Sequence, residues 1–303
     1  MSNIHFGTGG WRAIIGDVFT KANVQLLTAA LAQKMKDEGG TERGFMVGYD
    51  RRFLSQEAAH WAAEVMAGAG IHCMVVDREA TTPMVMFSVK YYDMTYGMAV
   101  TASHTPAIYN GIKVFTKGGR DADELVTQDI EKYITAIEGR DVPAVPYEEG
   151  VRTGMIQPID PMNAYVDSII RAVNMDAVRS CGLKVVLDPM YGVSKTALQT
   201  ILITAQCDVD VIHKRRDALF GGRLPAPNAK PMAGLQNFVM ETTATSASPL
   251  TATPTAWASS TTVGSSSSQT RFWSCSRRST WRSRKVAVIR PTTSSMGSTR
   301  KAA

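Results

Sequence analysis

Apolar residues recur along the first 140 positions in two alternating rhythms. Val24, Leu27, Leu31 and Met35 fall at helical spacing within 21–38 and predict an amphipathic helix. The run Gly44 to Tyr49 (GFMVGY), closed by Asp50, predicts a buried strand. Ser55 is placed to cap a helix through Ala58, Ala62, Val65 and Met66, which Gly68 and Gly70 end. Ile71 to Val76 predicts a second strand, Thr82-Pro83 opens a short helix, and Tyr96 to Thr101 predicts a third strand. Residues 122–138 predict a helix with Leu125, Ile130, Ile134 and Ile137 facing inward. Strands alternating with helices imply an α/β fold: mixed, mainly parallel sheets with helices on both faces.

The rhythm breaks at 139–161, where Pro143, Pro146, Pro158 and Pro161 predict an interdomain linker. It then resumes with a helix over Met162 to Val178, a strand over Lys184 to Asp188, a helix over Ser194 to Thr204 and a strand over Val209 to His213. Phe220 to Asn228 is a Gly/Pro-rich loop. After Glu241 periodicity stops. Residues 243–270 are mostly Ser, Thr and Ala, and 271–303 add Arg and Trp, with Val286 to Ile289 the sole candidate element. The expected organisation is a first α/β domain at 1–140, a linker at 141–161, a partial second α/β domain at 162–241, and a disordered or out-of-frame tail at 242–303.

Charge sharpens that boundary. The chain of 303 residues carries a net +6, which taken whole points to a polyanionic partner. Yet no Asp or Glu follows Glu241, while nine Lys and Arg do, so residues 1–241 hold a net −3. No apolar run approaches the ~20 residues of a membrane-spanning helix, which disfavours a membrane protein. The N-terminus lacks a basic head before an apolar stretch, so a secretory signal is not expected, and Cys73, Cys181, Cys207 and Cys275 are too scattered for a zinc or CxxC redox site. Free thiols in a reducing cytoplasm are the expectation.

Chemistry concentrates in Thr101-Ala-Ser-His-Thr-Pro106, followed by Tyr109-Asn-Gly-Ile-Lys-Val114. In open α/β sheets ligands bind at the C-terminal ends of strands, and an exposed serine there can act as a nucleophile. GxSxG is absent, which disfavours acyl transfer. Phosphoryl transfer fits better, because it needs positive charge around a migrating phosphate and an in-line nucleophile. An ordinary capped turn is the plain alternative. In Phe6-Gly-Thr-Gly-Gly-Trp-Arg12, the glycines Gly7, Gly9 and Gly10 with Thr8 allow close approach of backbone amides to an anion, and Arg12 can pair bidentately with phosphate. The alternative is a flexible glycine-rich arm. Asp50 with Arg51 or Arg52 is suited either to buttress the serine loop or to form a surface ion pair.

Taken together these segments resemble the α-D-phosphohexomutase family, which includes phosphoglucomutase and phosphomannomutase. The resemblance rests on Phe6 to Arg12, Gly48-Tyr-Asp-Arg-Arg52, Thr101 to Pro106 with Asn110-Gly-Ile-Lys113, Asp188-Pro-Met-Tyr-Gly192, and Asp217 through Gly221-Gly-Arg-Leu-Pro-Ala-Pro-Asn228, and spans residues 4–241. It implies an isomerase, an intramolecular phosphotransferase that interconverts hexose 1-phosphate and hexose 6-phosphate in the cytoplasm. It implies that Ser103 is carried as phosphoserine and exchanges its phosphoryl group through a hexose 1,6-bisphosphate. It implies that Arg12 faces the phosphoserine, that His104 and Lys113 serve proton transfer and charge stabilisation, and that Gly7, Thr8, Gly9, Gly10, Asp50, Arg52 and Asn110 support the phosphate loop. It also implies Mg²⁺, held by a phosphoserine oxygen on Ser103 and three aspartates of an Asp-Gly-Asp-x-Asp-Arg loop. Thr105 departs from the family's usual asparagine.

No Asp-Gly-Asp-x-Asp-Arg occurs in the chain. The stretch Leu250 to Ala256 can be encoded CTG ACG GCG ACG CCG ACC GCC, and read from the third base this becomes Asp-Gly-Asp-Ala-Asp-Arg. A frameshift near Thr242 is therefore the expectation, leaving a truncated phosphohexomutase with little or no mutase activity. Two other classes stay in view. One is a non-catalytic phosphosugar- or protein-binding remnant. The other is nucleic-acid binding through Arg271, Arg277, Arg278, Arg282 and Arg284 interleaved with Phe272, Trp273 and Trp281. Nucleic acid is the disfavoured partner, because out-of-frame GC-rich coding sequence also yields Arg, Ser and Trp.

Overall fold

The computed structural model describes residues 4–7, 9–226, 235, 238 and 246–249. Its first sheet contains β1 (Phe6–Gly7), β2 (Gly10–Ile14), β3 (Phe45–Tyr49), β4 (Cys73–Glu79), β5 (Tyr96–Val100), β6 (Tyr109–Thr116), β7 (Arg120–Asp121) and β8 (Ile156–Ile159). The strand order is β1-β2-β6-β5-β3-β4-β8, with β7 on β6. β5, β3, β4 and β8 run parallel, whereas β6 is antiparallel to both β5 and β2.

Side-chain alternation divides the sheet between two helical layers. Phe45, Val47 and Tyr49 of β3 face α1 (Lys21–Asp37), α2 (Ser55–Gly68) and α4 (Glu124–Ile137). Met46 faces α3 (Thr82–Tyr91), whose Met84, Val85 and Val89 pack with Val76, Ala99 and Phe115. Each large side chain so buried contributes roughly 1.5–3 kcal/mol. A mixed sheet covered by helices on both faces is as the alternating pattern implied, with β5, β3, β4 and β8 as its parallel part.

Several local expectations change. Residues 139–161 are not a bare linker: α5 (Tyr147–Thr153) and β8 fold back, and β8 extends the first sheet beside β4. Pro158 is accommodated because β8 lies at the sheet edge, where a missing N–H costs little. The first unit therefore runs past residue 140. Ser55 does not cap α2; Leu54 precedes that helix in a left-handed conformation, and the Ser55 hydroxyl donates to Asp50 instead. Leu125 is not an inner position, being 76% exposed; Ile130 and Ile134 form the buried stripe of α4. The helix over 162–178 is two helices, α6 (Met162–Ala172) and α7 (Met175–Arg179), because the Asn174 side chain accepts from the Ala177 amide and starts a new one. β2 and β6 carry no separate strand expectation, their residues having been read as site motifs.

The second sheet holds β9 (Lys184–Asp188), β10 (Asp208–Val211) and β11 (Ser246–Pro249) in the order β10-β9-β11, all parallel, with α8 (Lys195–Thr204) between β9 and β10 in the chain. β11 lies beyond Glu241, where no packed element was expected near it. Val286 to Ile289, the Arg/Trp-rich segment and the shifted-frame stretch Leu250 to Ala256 lie outside the described residues. Among the described residues no helix is long and apolar enough to cross a membrane.

Candidate functional site

The site lies at the C-terminal ends of β3 and β5, and its framework is a chain of buried polar contacts. Asp50 follows β3 and is 2% exposed. One of its oxygens accepts from the Arg52 amide at 2.9 Å and the Ser55 hydroxyl at 2.8 Å; the other accepts from the Thr101 hydroxyl at 2.7 Å. Thr101 in turn accepts from the Ser103 amide at 2.9 Å. Asn110 donates to the Ser55 hydroxyl at 2.9 Å and the Phe53 carbonyl at 3.0 Å, and accepts from the Gly111 amide at 2.8 Å. Partners of this kind make burial of the polar groups tolerable.

Arg52 closes the framework. Its guanidinium donates to the carbonyls of Ser103 at 2.9 Å, Thr105 at 2.7 Å, Pro106 at 2.9 Å and Tyr109 at 2.9 Å, with Asp50 at 3.6 Å from Nε. Four loop carbonyls thus converge on one planar fork, a geometry that the point charge of lysine cannot reproduce. Of the two arginines left open by the sequence, Arg52 buttresses the serine loop. Arg51 turns away to Glu79 at 2.8 Å. Thr105 closes the turn by donating its hydroxyl to the Ala102 carbonyl at 2.9 Å, so the departure from asparagine leaves a closed turn.

Ser103 sits in this clamp with φ 55°, a left-handed conformation that costs about 1–3 kcal/mol in a non-glycine residue. An exposed serine was expected; Ser103 is instead 2% exposed, because the left-handed turn and the bond to Thr101 fold it into the loop. Its Oγ lies 3.4 Å from Nδ1 of the exposed His104 ring. Burial, then the charges of Arg12 and Arg52, hold the His104 pKa below its ordinary value, so the ring is neutral near pH 7.

Arg12 projects from β2, beside Gly111 of β6 in register. Gly111 has no room for a side chain: a Cβ there would lie 2.1 Å from the Trp11 carbonyl oxygen. Gly10, at φ 101°, likewise lets β2 approach the Ile112 carbonyl. The glycine-rich arm is therefore strand edge rather than loose chain, and the Arg12 guanidinium lies over Gly9. Thr8 is outside the described residues. Lys113 is less central than expected. Its ammonium is 3.3 Å from Asp121 and lines a cleft of about 330 Å³ with Gly7, Gly9, Gly10 and Asp123, a cleft that does not include Ser103.

Sequence reasoning missed the contacts that join this loop to the second unit. Glu79 accepts from Arg51 and, at 2.6 Å, from Arg216. Phe220 lies under Arg52, its ring centroid 5.0 Å from the guanidinium carbon. Asp188, 1% exposed at the end of β9, accepts from the Met190 amide and lies 2.9 Å from His213 Nδ1. Thr101 was legible in principle, since a threonine two residues before the serine is placed for a local side-chain-to-amide bond.

Comparison with known proteins assigns this geometry. Residues 3–141 match the model of phosphoglucomutase/phosphomannomutase α/β/α domain I, and residues 163–248 match that of α/β/α domain II. The chain belongs to the phosphoglucomutase/phosphomannomutase family. Phosphoglucomutase of Staphylococcus haemolyticus is 27% identical over 228 residues, covering 69% of this chain and 40% of that protein. Phosphoglucomutase of Komagataeibacter xylinus is 26% identical over 229 residues, covering 72% and 41%. The chain thus spans about two-fifths of the length of these curated relatives. In fold, a phosphoglucomutase/phosphomannomutase family protein of Burkholderia thailandensis superposes with a TM-score of 0.72 at 19% identity, over 84% of this chain and 54% of that one.

The family is one of isomerases, intramolecular phosphotransferases, and elsewhere in it a divalent metal is used. The described residues do not fit such an ion. Among the described residues there is no group of three or more His, Cys, Asp or Glu side chains placed to hold one, and the sequence has no Asp-Gly-Asp-x-Asp-Arg. A phosphorylated Ser103 would supply a single anionic ligand group, too few for a protein site without further side chains.

Proposed function

We propose that this chain carries the phosphoserine domain of a hexose-phosphate mutase. Ser103 Oγ attacks the phosphorus of a hexose 1,6-bisphosphate in line. The bond from phosphorus to the sugar oxygen breaks, and hexose monophosphate leaves. His104, kept neutral by burial and by Arg12 and Arg52, takes the hydroxyl proton at Nδ1, and the departing sugar oxygen takes a proton from water to become the hydroxyl of the monophosphate. Arg12 stabilises the migrating charge. In a complete enzyme the reverse transfer to the other sugar oxygen converts hexose 1-phosphate into hexose 6-phosphate, with Mg²⁺ the expected divalent ion. The observation that carries this reading is the Arg52 clamp, which holds a left-handed serine beside a neutral histidine at the end of β5.

No step is assigned to a metal in this chain. Without its ion, several kcal/mol of charge stabilisation is lost, so we expect little or no turnover. Incubation with glucose 1,6-bisphosphate followed by intact mass and peptide mapping tests the transfer. One phosphoryl group on Ser103, absent in Ser103→Ala, is expected; phosphate elsewhere, or the same uptake in Ser103→Ala, overturns the reading. Because Ser103 is buried, the experiment reads access as well as chemistry. A coupled assay with glucose 1-phosphate checks turnover, and Mg²⁺-dependent conversion at an ordinary enzymatic rate contradicts the second expectation. Resequencing around codon 242 tests the frameshift: an uninterrupted frame through that codon in the gene removes it.

A further inference from the structure

We infer that Phe220 is a positioning residue for the serine loop and acts on Ser103 through Arg52. Arg52 spends its two Nη groups on four carbonyls of residues 103–109, while its Nε, 3.6 Å from Asp50, makes a charge contact and no hydrogen bond. That leaves the flat faces of the guanidinium. The Phe220 ring, from the second unit, lies under the guanidinium at 5.0 Å. Both residues are 1% exposed. An aromatic face there attracts the cation and keeps water from competing for the loop carbonyls, so those bonds act in a low-dielectric setting.

The ring is delivered by a built turn. Asp217 accepts from the Leu219 amide at 2.9 Å and the Gly221 amide at 3.0 Å, and Phe220 itself is left-handed at φ 53°. Gly221 is required there, since a Cβ would lie 2.6 Å from the Tyr191 ring. A left-handed aromatic residue is costly, and such conformations persist where the surroundings over-determine them. Next to this turn, Arg216 reaches Glu79, which also binds Arg51. The neighbours Arg51 and Arg52 thus meet the second unit through Arg216 and Phe220, and docking of that unit is transmitted to the backbone that carries the nucleophile. This deepens the phosphoserine reading and rests on it for the meaning of the loop, whereas the coupling itself is measurable without any transfer.

The test is amide hydrogen exchange on the full chain. The reporters are the amides of Ser103, Thr105 and Tyr109, which bond to Thr101, Ala102 and Pro106. Phe220→Leu keeps an apolar side chain but removes the π face. We expect exchange across 101–110 to rise about tenfold, as loss of one desolvated cation–π contact implies, with β9 and β3 amides unchanged. Phe220→Tyr should restore protection, and Leu219→Ala, one residue away on the surface, should do nothing. If Phe220→Leu unfolds the second unit, Asp217→Asn loosens the turn without removing the ring and should raise loop exchange to a smaller extent. Unchanged exchange at 101–110 in folded Phe220→Leu overturns the inference. So does a rise in β9 equal to that in the loop, which marks Phe220 as a core residue only. Phosphoryl uptake is scored separately: a loop that loosens in Phe220→Leu supports the coupling even if Ser103 of the parent chain takes up no phosphoryl group.

Discussion

The two α/β units both centre on buried parallel strands, but they cover them by unequal means. In the first, β3 and β5 are buried along their whole lengths, flanked on both sides by further strands and covered by helices on both faces. In the second, β9 is buried from Val185 to Asp188, but its neighbours are β10, which is half-exposed, and β11, the segment Ser-Ala-Ser-Pro. Parallel strands are stable mainly when covered on both sides. The second unit gains from leaning on the first, where Met162 and Tyr165 of α6 pack onto the α3 layer and Arg216 and Phe220 meet Glu79 and Arg52. The lesson is that the Ser103 loop belongs to the self-sufficient unit, while its final geometry is shared with the dependent one.

The largest expected effect comes from breaking the self-sufficient side at its polar centre. Arg52→Met leaves four carbonyls without their shared donor and the Asp50 carboxylate without its counter-charge, and removing one partner of a buried pair costs about 3–5 kcal/mol. Urea unfolding followed by tryptophan fluorescence should show a loss of that size; a loss below about 1 kcal/mol would mean water substitutes for the guanidinium. Next in size is Gly111→Ala, which forces β2 away from β6. Overpacking of this kind costs roughly 1–3 kcal/mol, and it should also displace Arg12 and so weaken phosphoryl uptake at Ser103. Native-state exchange sharpens the comparison directly. Amides of Val185 to Leu187 should exchange through a sub-global opening of lower free energy than those of Met46 to Gly48. Equal opening energies would make the two units one cooperative block.

Legibility in the sequence follows the same division. Val24, Leu27, Leu31 and Met35 announced α1, and the apolar runs announced β3 and β5, because burial on covered faces leaves a strong periodic trace. Ser103, His104, Asp50, Arg52 and Asn110 could be singled out because they lie within three short segments, which the fold brings into one network. β6 was missed as a strand because its residues Tyr109 to Thr116 had been read as chemistry, and β8 because Pro158 reads as a break unless the strand is known to be an edge. Phe220 and Glu79 were beyond reach. Their roles depend on partners 168 residues away for Phe220 and 137 for Glu79 with Arg216, and no local pattern encodes that pairing. Lys113 differs the other way: its place in a motif suggested the serine, whereas its ammonium lies 3.3 Å from Asp121.

The smallest expected effect is a titration, and it tests whether the positive charge gathered around Ser103 reaches the histidine. Burial comes first among the causes that depress the His104 pKa, then Arg12, then Arg52. Arg12→Gln removes one of the two charges and leaves Arg52 in place, so the ring should titrate closer to the ordinary value of about 6.5 without reaching it. NMR of the ring nitrogens across pH 4 to 8 reads this directly. The sign for stability follows from proton counting. Below about 6.5 the unfolded chain protonates this histidine before the folded protein does, so the ring's contribution is intact above that pH and is lost as pH falls through the folded value. Arg12→Gln should shrink that acid-side loss. An unmoved midpoint would show that the Arg12 charge is screened from the ring by solvent, and Arg12 would then act on a phosphate alone and not on the base that prepares the serine.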